Sequence, residues 1–280
     1  MKVAYLGPEK TFTEKVTKEL FPQEELIPLI PIRKVIMAVE TGEVQLGVVG
    51  LENFYNGEVR ETLDVLTKAE NARIIMEKAG QVVHCFGALP NHKEINKIYS
   101  HPQAIEQCSE FLYENYPNAT VTSVGSTAEA ANLIAKNKEY DSAAIAPKPA
   151  LLAANLEVLA EDICPNNKTR FIVIGREKTQ STGDDKTLLA IHPPIRDKSG
   201  VLHHILGFFA GLEVNLEYIQ SRPDRKKGYY FYIEVDGHKE DKLLKHAIEG
   251  VRLSLDPEEQ YTDTIKVLGS YPNSHWKDDN

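Results

Sequence analysis

The chain has 280 residues, 42% of them hydrophobic and 26% charged, with three cysteines and a formal net charge of −9. That length suits about two domains of ordinary size, and no run approaches the ~20 apolar residues of a membrane-spanning helix. The acidic balance disfavours a nucleic-acid or anionic-membrane partner. Cys85, Cys108 and Cys164, scattered and without a CxxC pair, argue against a disulfide scaffold or a thiolate metal site and fit a reducing cytoplasm. From the N-terminus, MKVAYLGPEK reads as a strand over Val3–Leu6 and a Gly7-Pro8 turn, not as an export leader. A helix is expected over about Phe12–Leu20 and another around Val35–Glu40, then a strand at Leu46–Leu51 and a helix at Glu61–Lys68. Ile98-Tyr99 precedes a helix over about Pro102–Tyr113, and Val121–Val124 precedes one over Thr127–Lys136. Ala143–Ala146 and Phe171–Ile174 read as further strands. Alternation of this kind points to the α/β class, with parallel sheets covered by helices.

The composition then changes. Glu177–Lys186 is polar and carries no apolar residue, which reads as a linker. Beyond it come a strand (Thr187–His192), a helix (Gly200–Gly211), two strands (Val214–Ser221, Tyr229–Val235), a helix (Asp241–Leu253) and a strand (Ile265–Leu268). That βαββαβ order, in about eighty residues, is the ferredoxin-like split βαβ unit. The polar tail Ser274–Asn280 reads as frayed.

In the first module the informative residues sit where strands end. Thr11-x-x-Glu14, Ser100-x-x-Gln103 and Ser126-x-x-Glu129 each have capping-box spacing after a strand-like run. In a parallel sheet such turns gather at the carboxyl edge, where free N–H groups and helix dipoles favour carboxylates or phosphates. Each box alone is first a helix start. Walker and GxGxxG spacings are absent, which disfavours a nucleotide enzyme. Glu52-Asn53 falls at the same edge and reads equally as substrate-orienting or as a bend before Gly57. Arg170 supplies a forked donor and Thr169 a hydroxyl, although both are ordinary strand-edge residues. His101 reads as a helix-entry residue and the cysteines as core fillers.

Taken in order, Gly7-Pro8-x-x-Thr11-Phe12, Glu52-Asn53, Thr62-Leu63-Asp64, Ser100-His101-Pro102-Gln103, Gln107-Cys108, Ser126-Thr127-Ala128 and Asn167-Lys168-Thr169-Arg170-Phe171 resemble the prephenate dehydratase family. Asn215-Leu216, Ser221-Arg222-Pro223 and Leu268-Gly269-Ser270-Tyr271-Pro272 extend the resemblance through a C-terminal ACT regulatory domain. It implies a two-lobed catalytic region over residues 1–178, similar to type II periplasmic binding proteins, with lobe crossings near Gly80 and Leu156, and an ACT domain over 187–272. It further implies conversion of prephenate to phenylpyruvate, water and carbon dioxide in phenylalanine biosynthesis, with neither cofactor nor metal. Thr169 is then the expected donor to the leaving hydroxyl, with Glu52, Asn53, Ser100 and Gln107 as further catalytic residues. Thr11, Ser126, Thr127, Arg170 and Phe171 would bind substrate, Arg170 being as well placed to brace the site. L-phenylalanine would act as effector at Gly200, Val201, Leu202, Asn215, Leu216, Gln220, Ser221, Arg222 and Pro223, in a cytoplasmic homodimer or homotetramer.

Several positions depart from the family pattern: Lys10 stands for a glycine, Gly50 for a proline, Phe54 for a serine, and Gln81 and Gln220 each for a glutamate. Ile163–Asn167 is short and lacks an aspartate. The departures leave three rivals: a non-aromatising prephenate decarboxylase, an arogenate dehydratase, and an inactive amino-acid sensor. Retention of Thr169-Arg170-Phe171 and of the regulatory module favours the dehydratase.

Overall fold

The computed structural model describes residues 1–194, 199–224, 228–258 and 264–275; the last five residues of the tail expected to fray lie outside them. By packing, the chain forms two units, one of residues 1–62 and 78–171, the other of 63–77 and 172–280. No helix among the described residues is long and apolar enough to cross a membrane.

The first unit begins with β1 (Lys2–Leu6), α1 (Phe12–Leu20), β2 (Glu25–Leu29), α2 (Ile32–Thr41), β3 (Leu46–Asn53), β4 (Gly57–Glu58) and the start of α3 (Arg60–Lys68). β1 lies between β2 and β3 and runs parallel to both, with Lys2 opposite Glu25 and Val3 opposite Leu46. β2 was not legible from pattern because Pro28 interrupts ELIPL. As the outermost strand, with β1 as its one neighbour in the sheet, it tolerates a residue without an N–H. Valines 3, 16, 35, 39, 48 and 49 are buried, which is the apolar stripe that turned α1 and α2 onto this sheet.

A second sheet is inserted after the end of β5 (Arg73–Gln81). It comprises β6 (Cys85–Ala88), β7 (Lys97–Ser100), β8 (Thr120–Ser123), β9 (Ser142–Ala146) and β10 (Glu157–Ala160), in the order β10-β6-β9-β7-β8. β7 is parallel to β8 and β9, whereas β6 and β10 run antiparallel, so the sheet is mixed rather than parallel. Because β10 pairs with β6, the second crossing falls after Ala160, not near Leu156. Helices α4 (Pro102–Gln107), α5 (Ser109–Asn115), α6 (Thr127–Asn137) and α7 (Lys148–Ala153) complete this lobe. The single helix expected over 102–113 is broken at Cys108, at φ −96° and ψ 13°. The chain returns through β11 (Lys168–Gly175) beside β3. The crossings are tied together, Val82 N–H donating to Asn167 O (2.8 Å) and Ile163 N–H to His84 O (3.0 Å).

In the second unit β12 (Asp185–Ile191), α8 (Val201–Gly211), β13 (Leu216–Pro223), β14 (Tyr229–Asp236), α9 (Lys242–Leu255) and β15 (Ile265–Pro272) form the expected βαββαβ unit, in antiparallel order β13-β14-β12-β15. Ile205, Phe209, Leu244, Val251, Leu189 and Ile233 fill its core; burying each such side chain contributes about 1.5–3 kcal/mol. Gly200, at φ 82°, turns the chain into α8 in a conformation that costs a glycine little.

The linker is shorter than composition implies, because Asp185 and Lys186 already belong to β12. Asp185 accepts from Thr182 N–H (2.7 Å), Gly183 N–H (3.1 Å) and Ser181 Oγ (3.2 Å), stapling the linker's end to the strand. Asp185→Ala should therefore lower stability by about 2 kcal/mol, read as a shifted urea midpoint; an unmoved midpoint would show the staple to be idle. Residues 63–77 also group with this module, and not with the one that precedes them in sequence. Gly269 of β15 pairs with Ile74 of β5, Lys266 Nζ donates to the carbonyls of Thr67 and Ala69, and Lys186 lies 3.6 Å from Glu77.

Candidate active site

A cavity of about 430 Å³ in the first unit is walled by Leu6–Pro8 after β1, the start of α1, Ile30–Ile32 before α2, Gly50 and Asn53 of β3, Val82 and His84 of the first crossing, the start and end of α4, Gly125–Thr127 at α6, and Thr169 and Phe171 of β11. Strand ends and helix starts meet here for the reason given by the sequence pattern: parallel strands deliver their following turns to one edge. Phe12, Phe171, Ile30, Ile32, Val59 and Val82 supply an apolar surface suited to a ring.

The polar floor is built from three side-chain amides. Asn53 Nδ2 donates to Asn167 Oδ1 (2.8 Å), Asn167 Nδ2 to Gln107 Oε1 (2.8 Å), and Gln107 Nε2 back to Asn53 Oδ1 (2.9 Å). The ring gathers β3, α4 and the second crossing. Asn53 Nδ2 also reaches Thr169 Oγ1 at 2.9 Å, so a lone pair of that hydroxyl is occupied and its proton is left to donate outward. His84 Nε2 lies 2.8 Å from Gln107 Oε1. Burial holds the His84 imidazole below its ordinary pKa, against the opposing pull of the Gln107 bond and of Asp162. His101 is likewise lowered by burial. Neutral imidazoles therefore face the cavity at pH 7.

Glu61 is the one Asp, Glu, Lys or Arg in the wall as described. An anion here would be met by helix ends instead of ammonium or guanidinium groups. Thr11 caps α1, accepting from Glu14 N–H (3.3 Å), and Ser126 caps α6, accepting from Glu129 N–H (3.1 Å). These starts leave other first-turn N–H groups and the positive dipole end toward the cavity.

The structure brings together Thr11, Asn53, Gln107, Ser126, Thr127, Thr169 and Phe171 in this wall. It does not bring Ser100, Glu52 or Arg170 there. Ser100 is fully buried and its hydroxyl donates to Ile145 O (2.7 Å), fastening β7 to β9; His101, not Ser100, caps α4 through Nδ1. Arg170 is 2% exposed, with Nη1 3.8 Å from Glu52 Oε2, so the two form an ion pair behind the wall. Bracing is thus the role the geometry supports for Arg170. Sequence reasoning missed His84, Asn167 and Gln103, and it set His101 aside. Asn167 was signalled by its place in the Asn167–Phe171 run, but His84 stands in a segment with no periodicity to mark it.

Among the departures, Lys10 does adopt the left-handed region, at φ 64°, which costs a non-glycine residue ~1–2 kcal/mol; its N–H donates to Glu14 Oε2. Gly50 lies in the wall, and a Cβ there would meet Thr169 Cγ2 at 3.7 Å, an ordinary contact. Phe54 is 64% exposed against Tyr55, and Gln81 lines an adjoining cavity that shares Thr11 and Phe12 with this one, so neither Phe54 nor Gln81 is in the wall. The cysteines are buried, and burial pushes the thiols of all three up, as inert core residues require.

In the second unit Gly200, Val201 and Leu202 form the start of α8, and Val201 and Leu216 pack on its core. Asn215 Nδ2 donates to Asp236 Oδ2 (3.0 Å). Gln220, Ser221 and Pro223 lie along β13. Arg222 is engaged by a forked pair with Asp64, at 2.8 Å and 3.2 Å.

The family model described as prephenate dehydratase matches residues 3–179, and the ACT domain model matches residues 195–252. A bifunctional chorismate mutase/prephenate dehydratase of Aquifex aeolicus is 34% identical over 284 residues, covering 98% of this chain and 74% of that protein. A prephenate dehydratase of Methanocaldococcus jannaschii is 34% identical over 277 residues, covering 96% and 97%. Among solved structures, the prephenate dehydratase of Arthrobacter aurescens in complex with L-Phe superposes with a TM-score of 0.85 at 32% identity, covering 99% of this chain and 91% of that one.

Proposed function

The chain belongs to the prephenate dehydratase family and carries a C-terminal ACT domain; from that premise we propose that its cleft converts prephenate to phenylpyruvate, with Thr169 as the donor to the departing hydroxyl. The observation that carries the assignment is the Asn53–Thr169 bond within the amide ring, which leaves one oriented hydroxyl proton facing an apolar cavity.

Prephenate offers two carboxylates and a ring hydroxyl para to one of them. The helix starts at Thr11 and Ser126-Thr127 suit the carboxylates, and Phe12 and Phe171 suit the ring. As the C–O bond breaks, charge grows on the leaving oxygen, where the Thr169 hydroxyl stabilises it. The C–C bond to the ring carboxylate breaks, its electron pair completes the aromatic ring, and carbon dioxide departs. One proton taken from solvent accompanies the hydroxide out as water. Aromatisation supplies the driving force, so the protein contributes chiefly orientation.

L-phenylalanine is the proposed effector, acting through the ACT module in a cytoplasmic homodimer or homotetramer. The decisive test is a product assay: purified protein with prephenate, analysed for phenylpyruvate with and without L-phenylalanine. Phenylpyruvate formation that falls as phenylalanine is added is the expected result. Consumption of prephenate without an aromatic product would replace this reading by non-aromatising decarboxylation. An absence of turnover would direct the same assay to arogenate, and failure there would leave an amino-acid sensor.

A further inference from the structure

We propose that His84 and Asn167 are positioning residues for the Thr169 hydroxyl, acting through a one-way ring of amide hydrogen bonds; this deepens the dehydratase reading and rests on it. The direction of the ring follows from two backbone donors. Asn53 Oδ1 accepts from Tyr55 N–H (3.0 Å) and Asn56 N–H (3.2 Å), and a backbone N–H can only donate. The Asn53 oxygen is therefore on that side, and its Nδ2 must face Asn167 Oδ1 and Thr169 Oγ1. Gln107 then meets Asn53 Oδ1 with its nitrogen, which turns Oε1 toward Asn167 Nδ2 and His84 Nε2. An oxygen that accepts from Asn167 can only accept from His84 as well. His84 is thus protonated on Nε2, and its Nδ1 is the bare nitrogen, buried with no hydrogen-bond partner among the described residues.

The consequence is a defined chain of command. His84 and Asn167 both hold Gln107 Oε1, which keeps the opposite end of the Gln107 amide aimed at Asn53. Gln107, Tyr55 and Asn56 fix Asn53, and Asn53 orients Thr169. His84 is 3% exposed and Asn167 1% exposed, so neither can hand its task to water. A flipped Gln107 amide would set oxygen against Asn53 Oδ1 and nitrogen against Asn167 Nδ2, two repulsive contacts at once. The two crossings supply the outer members, and β3 and α4 the inner ones.

The test pairs kinetics with a spectroscopic readout. In the full-length protein, His84→Leu removes the donor, His84→Gln restores an N–H near the place of Nε2, and Asn167→Ala opens the ring. Expected are about a 30-fold fall in kcat with KM within about twofold for His84→Leu, and recovery to within about threefold of wild type for His84→Gln. A fall of about 100-fold is expected for Asn167→Ala, on the scale that misorientation of a reacting group costs. A merely structural role would lower thermal stability in both His84 variants and show no recovery in glutamine. Nitrogen-15 spectra of labelled wild-type protein should show the His84 proton on Nε2. A proton on Nδ1, or His84→Leu with wild-type kcat, would overturn the proposal. If wild-type protein lacks turnover, the dehydratase reading fails by itself, and the imidazole spectrum still decides the ring. A His84→Leu variant that fails to fold leaves the decision to that spectrum and to Asn167→Ala.

Discussion

Thr169→Ala should lower kcat for phenylpyruvate formation by about 100- to 1,000-fold, the range that a donor to a leaving group contributes. The fold should survive the change. Losing Oγ1 does not orphan Asn53 Nδ2, which keeps Asn167 Oδ1 at 2.8 Å and Lys168 O at 3.2 Å, so the usual penalty of an unpaired buried donor does not arise. Stability should stay within about 1 kcal/mol of wild type. Thr169→Ser, which keeps the hydroxyl but gives up the methyl that restricts its rotamer, should fall between the two. Steady-state kinetics with product detection, alongside circular dichroism, separate these outcomes. Turnover by Thr169→Ala equal to wild type would remove Thr169 from the chemistry and leave the amide ring without its proposed purpose.

The largest effect on stability is expected from Gly269→Ala. A Cβ built on Gly269 would stand 2.3 Å from Ile74 O and 2.6 Å from Ile74 Cβ, against a strand backbone and not the movable end of a side chain. Ile74 is itself fully buried, so β5 has nowhere to retreat. The substitution should cost about 3 kcal/mol, at the upper end of overpacking, and part β15 from β5. The control lies in the same unit: Gly207 in α8 has open space around its virtual Cβ. Gly207→Ala should stabilise by about 0.5–1 kcal/mol through helix propensity. Urea unfolding of the pair reads both signs, and a Gly269→Ala midpoint equal to wild type would mean that the two strands are not closely held in solution.

How much of this was legible in advance depended on the kind of signal each element carries. α1 was bounded correctly because Thr11 and Glu14 mark its start and Val16 and Thr17 its buried face. The βαββαβ module was legible because its strands are long and its two helices amphipathic. β6 (Cys85–Ala88) and β10 were missed, since neither is followed by a helix signal of the kind that marked β7 and β8, and their antiparallel partners are remote in sequence. The misplaced second crossing follows directly from the missed β10. At the site, sequence order could propose Asn53, Gln107 and Thr169, but not that residues 53, 107 and 167 close a ring. Nor could it tell which way a strand-edge side chain turns: Thr169 enters the cavity while its neighbour Arg170 goes to Glu52 behind it. The capping-box reading failed at Ser100 for a similar reason, because β7 ends one residue later than the box requires and His101 takes the cap.

A cleft that holds a dianion with neutral donors also sets the kinetics of capture. The wall, as described, offers Glu61 and no Lys or Arg, on a chain whose net charge is −9. Helix ends attract over about one turn and do not project a field into solvent. Long-range steering, which lifts association toward 10⁸–10⁹ M⁻¹s⁻¹ elsewhere, is therefore not supplied by the wall itself. With a net charge of −9 on the whole chain, raising ionic strength within the physiological range should quicken the arrival of a dianion slightly instead of slowing it.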